Sequence, residues 1–94
     1  MVEIPVYGRG EGRNGVIVAR ARVDDADEEV AARHRWYLGG RNRAFVMACT
    51  ESGTVLLHRL LLAARPEERV IHRSGDHLDN RRANLLLERP RTQP

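Results

Sequence analysis

The stretch Val70–Leu86 reads VIHRSGDHLDNRRANLL and holds two β-rich segments separated by polar, turn-forming residues. We predict a short strand over residues 69–72, a turn at residues 74–76 and a returning strand over residues 85–88, because aliphatic runs flank residues that favour turns. This stretch should therefore form a small β unit around a polar loop.

The segment before this stretch is predicted to be helical. Residues 55–64 (VLLHRLLLAA) have the length and leucine content of a helix. Pro66 marks its end, since proline cannot donate the hydrogen bond that a helix interior requires. A leucine-rich helix of this kind must pack against the rest of the domain.

The first half of the chain contains a series of strand candidates. Arginine alternates with alanine and valine after Val16, so Arg20 and Arg22 should share one face by the period of two that a strand imposes. Glycine-rich segments separate the candidates, and one of them contains Asn-Gly, a strong hairpin signal. The strand candidates are residues 3–7, 16–23, 36–38 and 43–50, and the turns are residues 8–15 and 39–42.

One helix is expected to lie across these strands. Asp24 or Asp25 can cap a helix over roughly residues 26–34, with acidic side chains in its first turn where the helix dipole favours negative charge. We interpret this acidic patch as capping and not as metal binding. The segments together predict a small antiparallel three-stranded sheet with a helix.

The length favours a single domain of the α+β class. A chain of 94 residues supports one compact unit with a thin core. We expect one domain over residues 1–94, made of a sheet and helix at 16–50, a second region at 55–88 and a polar tail at 89–94. No internal repeat or long linker divides it.

All 16 basic residues are arginine, and the net charge is +3 with a pI near 10.0. Residues 1–34 carry 5 arginines against 7 carboxylates, whereas residues 35–94 carry 11 against 6. Guanidinium groups match phosphate oxygens, so this surface suits nucleic acid or an acidic protein. A genome that favours arginine codons would give the same composition.

Cys49 is the only cysteine, which excludes an intrachain disulfide and a four-cysteine zinc site. We expect it to be a small core residue. Apolar runs such as residues 60–64 are far shorter than the roughly 20 residues of a membrane span, and no cleavable signal opens the chain. A cytoplasmic protein of bacterial or phage origin is expected, without membrane contact.

The order and spacing from His72 to Leu85 resemble the finger of HNH endonucleases of the phage and homing type, with Leu-Asp-Asn-Arg followed by Asn-Leu. The tetrapeptide at residues 57–60 is similar to the His-Arg-Leu helix of that family, and residues 23–37 resemble its Val-Asp-Asp, helix, Trp-Tyr lead-in. The resemblance covers roughly residues 16–86. It implies that a helix and a truncated ββα-metal finger follow the sheet.

The resemblance also assigns roles. His72 occupies the position of the general base that deprotonates water, and Asn84 matches the asparagine that orients this histidine and its loop. Asp79 and Asn80 match structural caps of the turn. An active member would need a divalent metal, magnesium or manganese, to polarise the phosphate.

Two positions depart from the HNH pattern. The family's metal ligand before the base histidine is Ile71 here, and isoleucine cannot coordinate a metal. The second ligand position falls on Gln93, in a segment that Pro90 interrupts. Asp76 and His77 are the candidate substitutes. We expect impaired or lost nuclease activity, and in that case no cofactor.

DNA binding depends on distributed arginines and tolerates these losses better. The sheet resembles that of AP2-type DNA-binding domains, which lies in the major groove. The predicted DNA contacts are Arg20, Arg22, Arg41 and Arg43, with Trp36 nearby, and Arg73, Arg81 and Arg82 beside the loop. The alternative is a solvated face with scattered arginines. His58 is predicted to be a structural histidine bonded to the loop, and Arg59 to form a salt bridge or a phosphate contact.

Three functions follow from these patterns. The first is an HNH-related protein that binds double-stranded DNA. The second is an active metal-dependent nicking endonuclease, in which nearby groups or the partner of a homodimer complete the metal site. The third is a phage or mobile-element protein that reuses the fold to bind a host protein.

Overall fold

The computed structural model describes residues 1–8, 15–39 and 45–89. Arg41, Arg43, Pro90 and Gln93 lie outside the described residues, so the predictions that rest on them have no structural counterpart here. In chain order the elements are β1 (Val2–Tyr7), β2 (Ile17–Val23), a 3-10 helix (Asp25–Asp27) that runs into α1 (Glu28–Ala31), β3 (Trp36–Gly39), β4 (Phe45–Thr50), β5 (Gly53–Leu56), α2 (Leu57–Leu61), β6 (Arg69–His72), a second 3-10 helix (Arg82–Asn84) and β7 (Leu85–Glu88).

The main sheet has five strands in the order β2-β1-β3-β4-β5, so the prediction of a three-stranded antiparallel sheet was wrong. The sheet is mixed, because β1 and β3 run parallel with Val6 opposite Trp36, while the other pairs are antiparallel. The chain first returns along β2 to the level of Val2, and residues 24–35, with their two short helical turns, then join β2 to β3 on the other side of β1.

The predicted helix over residues 55–64 is divided between two elements. Val55 and Leu56 belong to β5, because they pair with Ala48 and Met47 of β4, and the helix α2 begins only at Leu57. A short apolar run is compatible with a strand as well as with a helix, so the pairing with β4 determines that these two residues form a strand. The first helix is also shorter than predicted.

The core lies on one face of the five-stranded sheet. Alternate residues of β1, β2 and β4 point to this face, where α1 and α2 add Ala31, Leu57 and Leu61. Trp36 is 1% exposed, and its indole nitrogen donates a hydrogen bond to the carbonyl of Ala31 at 2.8 Å. The buried apolar residues of this core are Ile4, Val6, Ala21, Val23, Ala31, Trp36, Val46, Ala48, Leu57 and Leu61.

The strands β6 and β7 form a separate two-stranded antiparallel hairpin, with His72 opposite Leu85 and Ile71 opposite Leu86. No helix follows β7 within the described residues, and the nearest helix, α2, comes before the hairpin. This is not the ββα-metal layout, so the predicted truncated finger was wrong. The two predicted strands, residues 69–72 and 85–88, are present as β6 and β7. The helix that would complete a finger does not follow them within the described residues.

The polar loop of the hairpin is attached to the edge of the main sheet. The backbone amide of Arg22 donates to the carbonyl of Leu78, and the amide of Asn80 donates to the carbonyl of Arg22, both at 2.7 Å. These bonds form a parallel bridge between Arg22 and Asp79. The loop thereby covers the end of strand β2, whose edge would otherwise be open.

Cys49 is exposed, so the prediction of a core cysteine was wrong. Its neighbours in β4, Val46 and Ala48, take the core face, and the alternation of the strand places Cys49 on the opposite face. Among the helices formed by described residues, none is long and apolar enough to span a bilayer.

Candidate functional site

Three imidazoles from three parts of the chain meet where α2 faces the hairpin. The ring centroid of His72 lies 4.9 Å from that of His58 in α2 and 4.8 Å from that of His77 in the loop. Phe45 of β4 stacks against His58 and His77 at 5.9 and 5.1 Å. We call these four residues the histidine cluster.

His72, the predicted general base, is 8% exposed. Its Nε2 lies 2.8 Å from Oδ1 of Asn80, and the amide nitrogen of Asn80 donates to the carbonyl of His77 at 3.2 Å. This second bond orients the amide, so its oxygen faces the histidine and Nε2 must carry the proton. The lone pair of the neutral imidazole is therefore on Nδ1.

Burial favours the neutral form of two members of the histidine cluster, His58 and His72. Desolvation, together with the neighbouring His72, Arg59 and His77, lowers the pKa of His58 from 6.5 to about 4. The pKa of His72 is also lowered, chiefly by desolvation, although the hydrogen bond with Asn80 opposes this change. A buried neutral imidazole agrees with the structural role predicted for His58.

Asn84 binds the loop backbone instead of the histidine. Its Oδ1 accepts a hydrogen bond from the amide of Ser74 at 3.0 Å, and its Nδ2 donates to the carbonyl of Asp79 at 2.9 Å. The hydrogen-bonded partner of His72 is Asn80. The role that the resemblance gave to Asn84 is thus divided between two asparagines.

Ile71, the described position that the resemblance matches to a metal ligand, does not fit a divalent cation. Ile71 offers no donor atom and lies opposite Leu86 in the hairpin. Of the candidate substitutes, Asp76 accepts a hydrogen bond from Arg22 at 2.7 Å and another from the amide of Leu78 at 3.0 Å. The described part of the chain holds no group of three or more His, Cys, Asp or Glu side chains that could bind a metal ion.

Three of the arginines predicted to contact DNA form internal ion pairs. Arg22 binds Asp76, Arg81 binds both oxygens of Asp79 at 2.8 Å, and Arg82 binds a carboxylate of the first 3-10 helix. The Arg81 guanidinium also holds the pKa of Asp79 below its usual range. These arginines hold the loop in place.

Arg59 also has an internal role. Its guanidinium donates to the backbone carbonyl of Glu68 at 2.7 Å and to that of Arg65 at 2.5 Å. Arg59 forms no salt bridge with a carboxylate of the described residues, and its predicted phosphate contact stays a prediction. The side chain instead satisfies carbonyl groups in the connection between α2 and β6.

The arginines available for a ligand lie elsewhere. Arg20 and Arg73 are exposed, and neither forms an ion pair with any other described residue. Arg35, which the sequence did not single out, places its guanidinium carbon 4.2 Å from the ring centre of Tyr7. The sequence did contain a signal that Arg35 lies beside Tyr37, because these two residues alternate with the apolar Trp36, which is buried.

Arg20, Tyr7 and Tyr37 belong to the face of the main sheet opposite the core, which we call the outer face. Both helices, α1 and α2, pack on the core face, where they contribute Ala31, Leu57 and Leu61. Trp36 points into the core and not to this surface. Arg35 joins the outer face through its contact with Tyr7.

No protein-family model matches the chain, and comparisons with curated proteins and with solved structures give no match. The resemblance to HNH endonucleases therefore rests on the sequence of residues 16–86 alone, and it stays a prediction.

Proposed function

We propose that this chain is an HNH-related protein that binds double-stranded DNA and has lost hydrolytic activity. The observation that carries the proposal is the placement of Arg20 and Arg35 on the outer face. Arg20 pairs with Pro5 across β1 and β2, and Arg35, which precedes Trp36, lies level with Pro5 on the other side. The backbone positions of the two arginines thus flank Pro5 of β1, and the guanidinium of Arg35 reaches the ring of Tyr7 on the same strand.

The charge pattern supports phosphate binding at this face. Arg20 has no carboxylate partner among the described residues, and Arg35 is held over an aromatic ring instead of an acid. A guanidinium that is ordered but not neutralised can bind a phosphate oxygen at a low cost in side-chain entropy. Arg73, on the hairpin, is a further exposed candidate.

Two observations support the loss of hydrolysis. Ile71 removes the family's first ligand position, and His72 is buried with its Nε2 bound to Asn80. A general base must reach the water it deprotonates, and a metal-assisted reaction needs donor atoms around the ion. The histidine cluster is better suited to packing the hairpin against α2.

Gel-shift binding to a short duplex at several salt concentrations tests the proposal. The affinity should fall steeply with salt, and the R20A/R35A variant should reduce the slope of log K against log salt by about two. The R65A/R69A variant is the matched control, because it removes two exposed arginines outside the outer face. Binding no stronger than that of a neutral protein of similar size would refute the proposal.

A further inference from the structure

An apolar row crosses all five strands of the outer face. The strand registers place Ile17, Tyr7, Tyr37, Met47 and Leu56 opposite one another in sequence across the sheet. None of them belongs to the described core. The row has its two aromatic rings in the middle, on the parallel strands β1 and β3.

Two side chains of this row, those of Tyr37 and Met47, lie close to the backbone of Gly39. A Cβ atom added at Gly39 would lie 2.6 Å from Sδ of Met47 and 3.0 Å from the ring of Tyr37, so both side chains lie low over the glycine. A groove of about 530 Å³ opens beside them, and Tyr7, Arg35 and Tyr37 are among the residues that line it. This volume is in the range of pockets that take a small planar group.

The groups beside the row select an anionic occupant. The backbone positions of Arg20 and Arg35 lie one row away on the same side, about 7 Å along a strand, and the guanidinium of Arg35 reaches back over Tyr7. The carboxylate of Glu3 lies further along β1, opposite Arg22. A second copy of this face would bring arginine against arginine, whereas a chain of phosphates complements them.

The chemistry of the row distinguishes between duplex and single-stranded DNA. The bases of a duplex present polar edges in the grooves, and Ile17, Tyr7, Met47 and Leu56 carry few groups that could read them. The faces of unpaired bases, in contrast, stack on aromatic rings, and arginine beside the ring strengthens such stacking.

We infer that the outer face binds single-stranded DNA, with bases stacked on Tyr7 and Tyr37 and phosphates against Arg20 and Arg35. This inference rests on the proposed DNA binding and adds that the same face holds a single strand more tightly than a duplex. Arg35 contributes to both kinds of contact, since its guanidinium lies 4.2 Å from the centre of the Tyr7 ring and carries the charge that a phosphate binds.

The affinities of a short oligothymidylate and of a duplex of the same length, measured by fluorescence anisotropy, test the inference. The single strand should bind more tightly. Tyr7→Leu should weaken single-strand binding about tenfold and duplex binding by a smaller factor, because it removes a stacking ring and also the ring that holds the Arg35 guanidinium. Tyr7→Phe should keep single-strand binding, because the phenyl ring still stacks. Circular dichroism checks that each variant folds.

Cross-linking of the wild-type protein provides a measurement that needs no substitution. Irradiation of an oligonucleotide that contains iododeoxyuridine should attach it to a peptide containing Tyr7 or Tyr37. Attachment only to the hairpin, or equal affinity for the two DNA forms, would overturn the inference and leave the proposed function standing. Failure to bind either DNA would overturn both.

Discussion

Arg82 and Asp27 lie 55 residues apart in the sequence and form a bidentate ion pair in the fold. Nε of Arg82 donates to Oδ2 of Asp27 and Nη2 donates to Oδ1, each at 2.9 Å. The carboxylate is 6% exposed, and Arg82 also donates to the carbonyl of Leu61 and, through its backbone amide, to Asp24. One arginine therefore joins the loop, the first 3-10 helix and α2.

Replacement of Arg82 by methionine should lower the free energy of unfolding by about 2 to 3 kcal/mol, because it leaves the buried carboxylate of Asp27 without a partner. Urea denaturation followed by circular dichroism measures this loss. Asp27→Asn in the same chain should restore part of it. Arg73→Met, at an exposed position, is the matched control and should change stability by less than about 0.5 kcal/mol.

Acid should destabilise the fold, because the buried His58 and His72 have lowered pKa values and are protonated more readily in the unfolded chain. The pKa of His58 is about 4 in the fold and 6.5 in an unfolded chain, so the unfolded state binds the proton more readily. The contribution of neutral His58 to the free energy of unfolding is complete above pH 6.5. It is lost as the pH falls towards 4, which lowers the free energy of unfolding by about 3 kcal/mol. His72 acts in the same direction.

Urea denaturation at pH 7 and at pH 4 checks this prediction. His58→Leu should remove a large part of the difference between the two, whereas His34→Gln, outside the histidine cluster, should retain it. An unchanged difference in the His58 variant would assign the acid sensitivity to other groups.

Asn84→Ala should loosen the loop. The substitution leaves the amide of Ser74 and the carbonyl of Asp79 without their partners, which should cost about 1 to 3 kcal/mol. Hydrogen exchange should accelerate at the Ser74 amide more than in the main sheet. Ser74→Ala keeps both bonds, because they use backbone groups on the loop side, and it serves as the control. Equal protection of the backbone amide at position 74 in the two variants would contradict this account.

Supercoiled plasmid incubated with magnesium or manganese should stay intact. Ile71 supplies no ligand, and His72 is buried beside Asn80, so a metal-activated water has no site at the matched positions. Agarose electrophoresis measures nicking. Metal-dependent nicking that His72→Ala abolishes would instead establish a working nuclease, and nicking that survives His72→Ala would indicate a contaminant.

Part of the candidate site was predictable and part was not. The sequence indicated that Arg20 and Arg22 share a face of one strand, and it indicated the turn that carries Asp76. It could not show that Arg22 binds Asp76, because the two residues are 54 positions apart and meet only when the loop joins the edge of the sheet. The same holds for Arg82, whose acidic partner was interpreted as a helix cap.

The sequence by itself determined the strands of the hairpin and most strands of the main sheet. These follow from local rules, namely the period of two along a strand and the backbone conformations that glycine and asparagine allow. Only the tertiary structure decided the parallel pairing of β1 with β3, the assignment of Val55 to a strand, and which arginines are neutralised. Those outcomes depend on hydrogen bonds and charges between residues far apart in the chain, and local patterns carry no information about such partners.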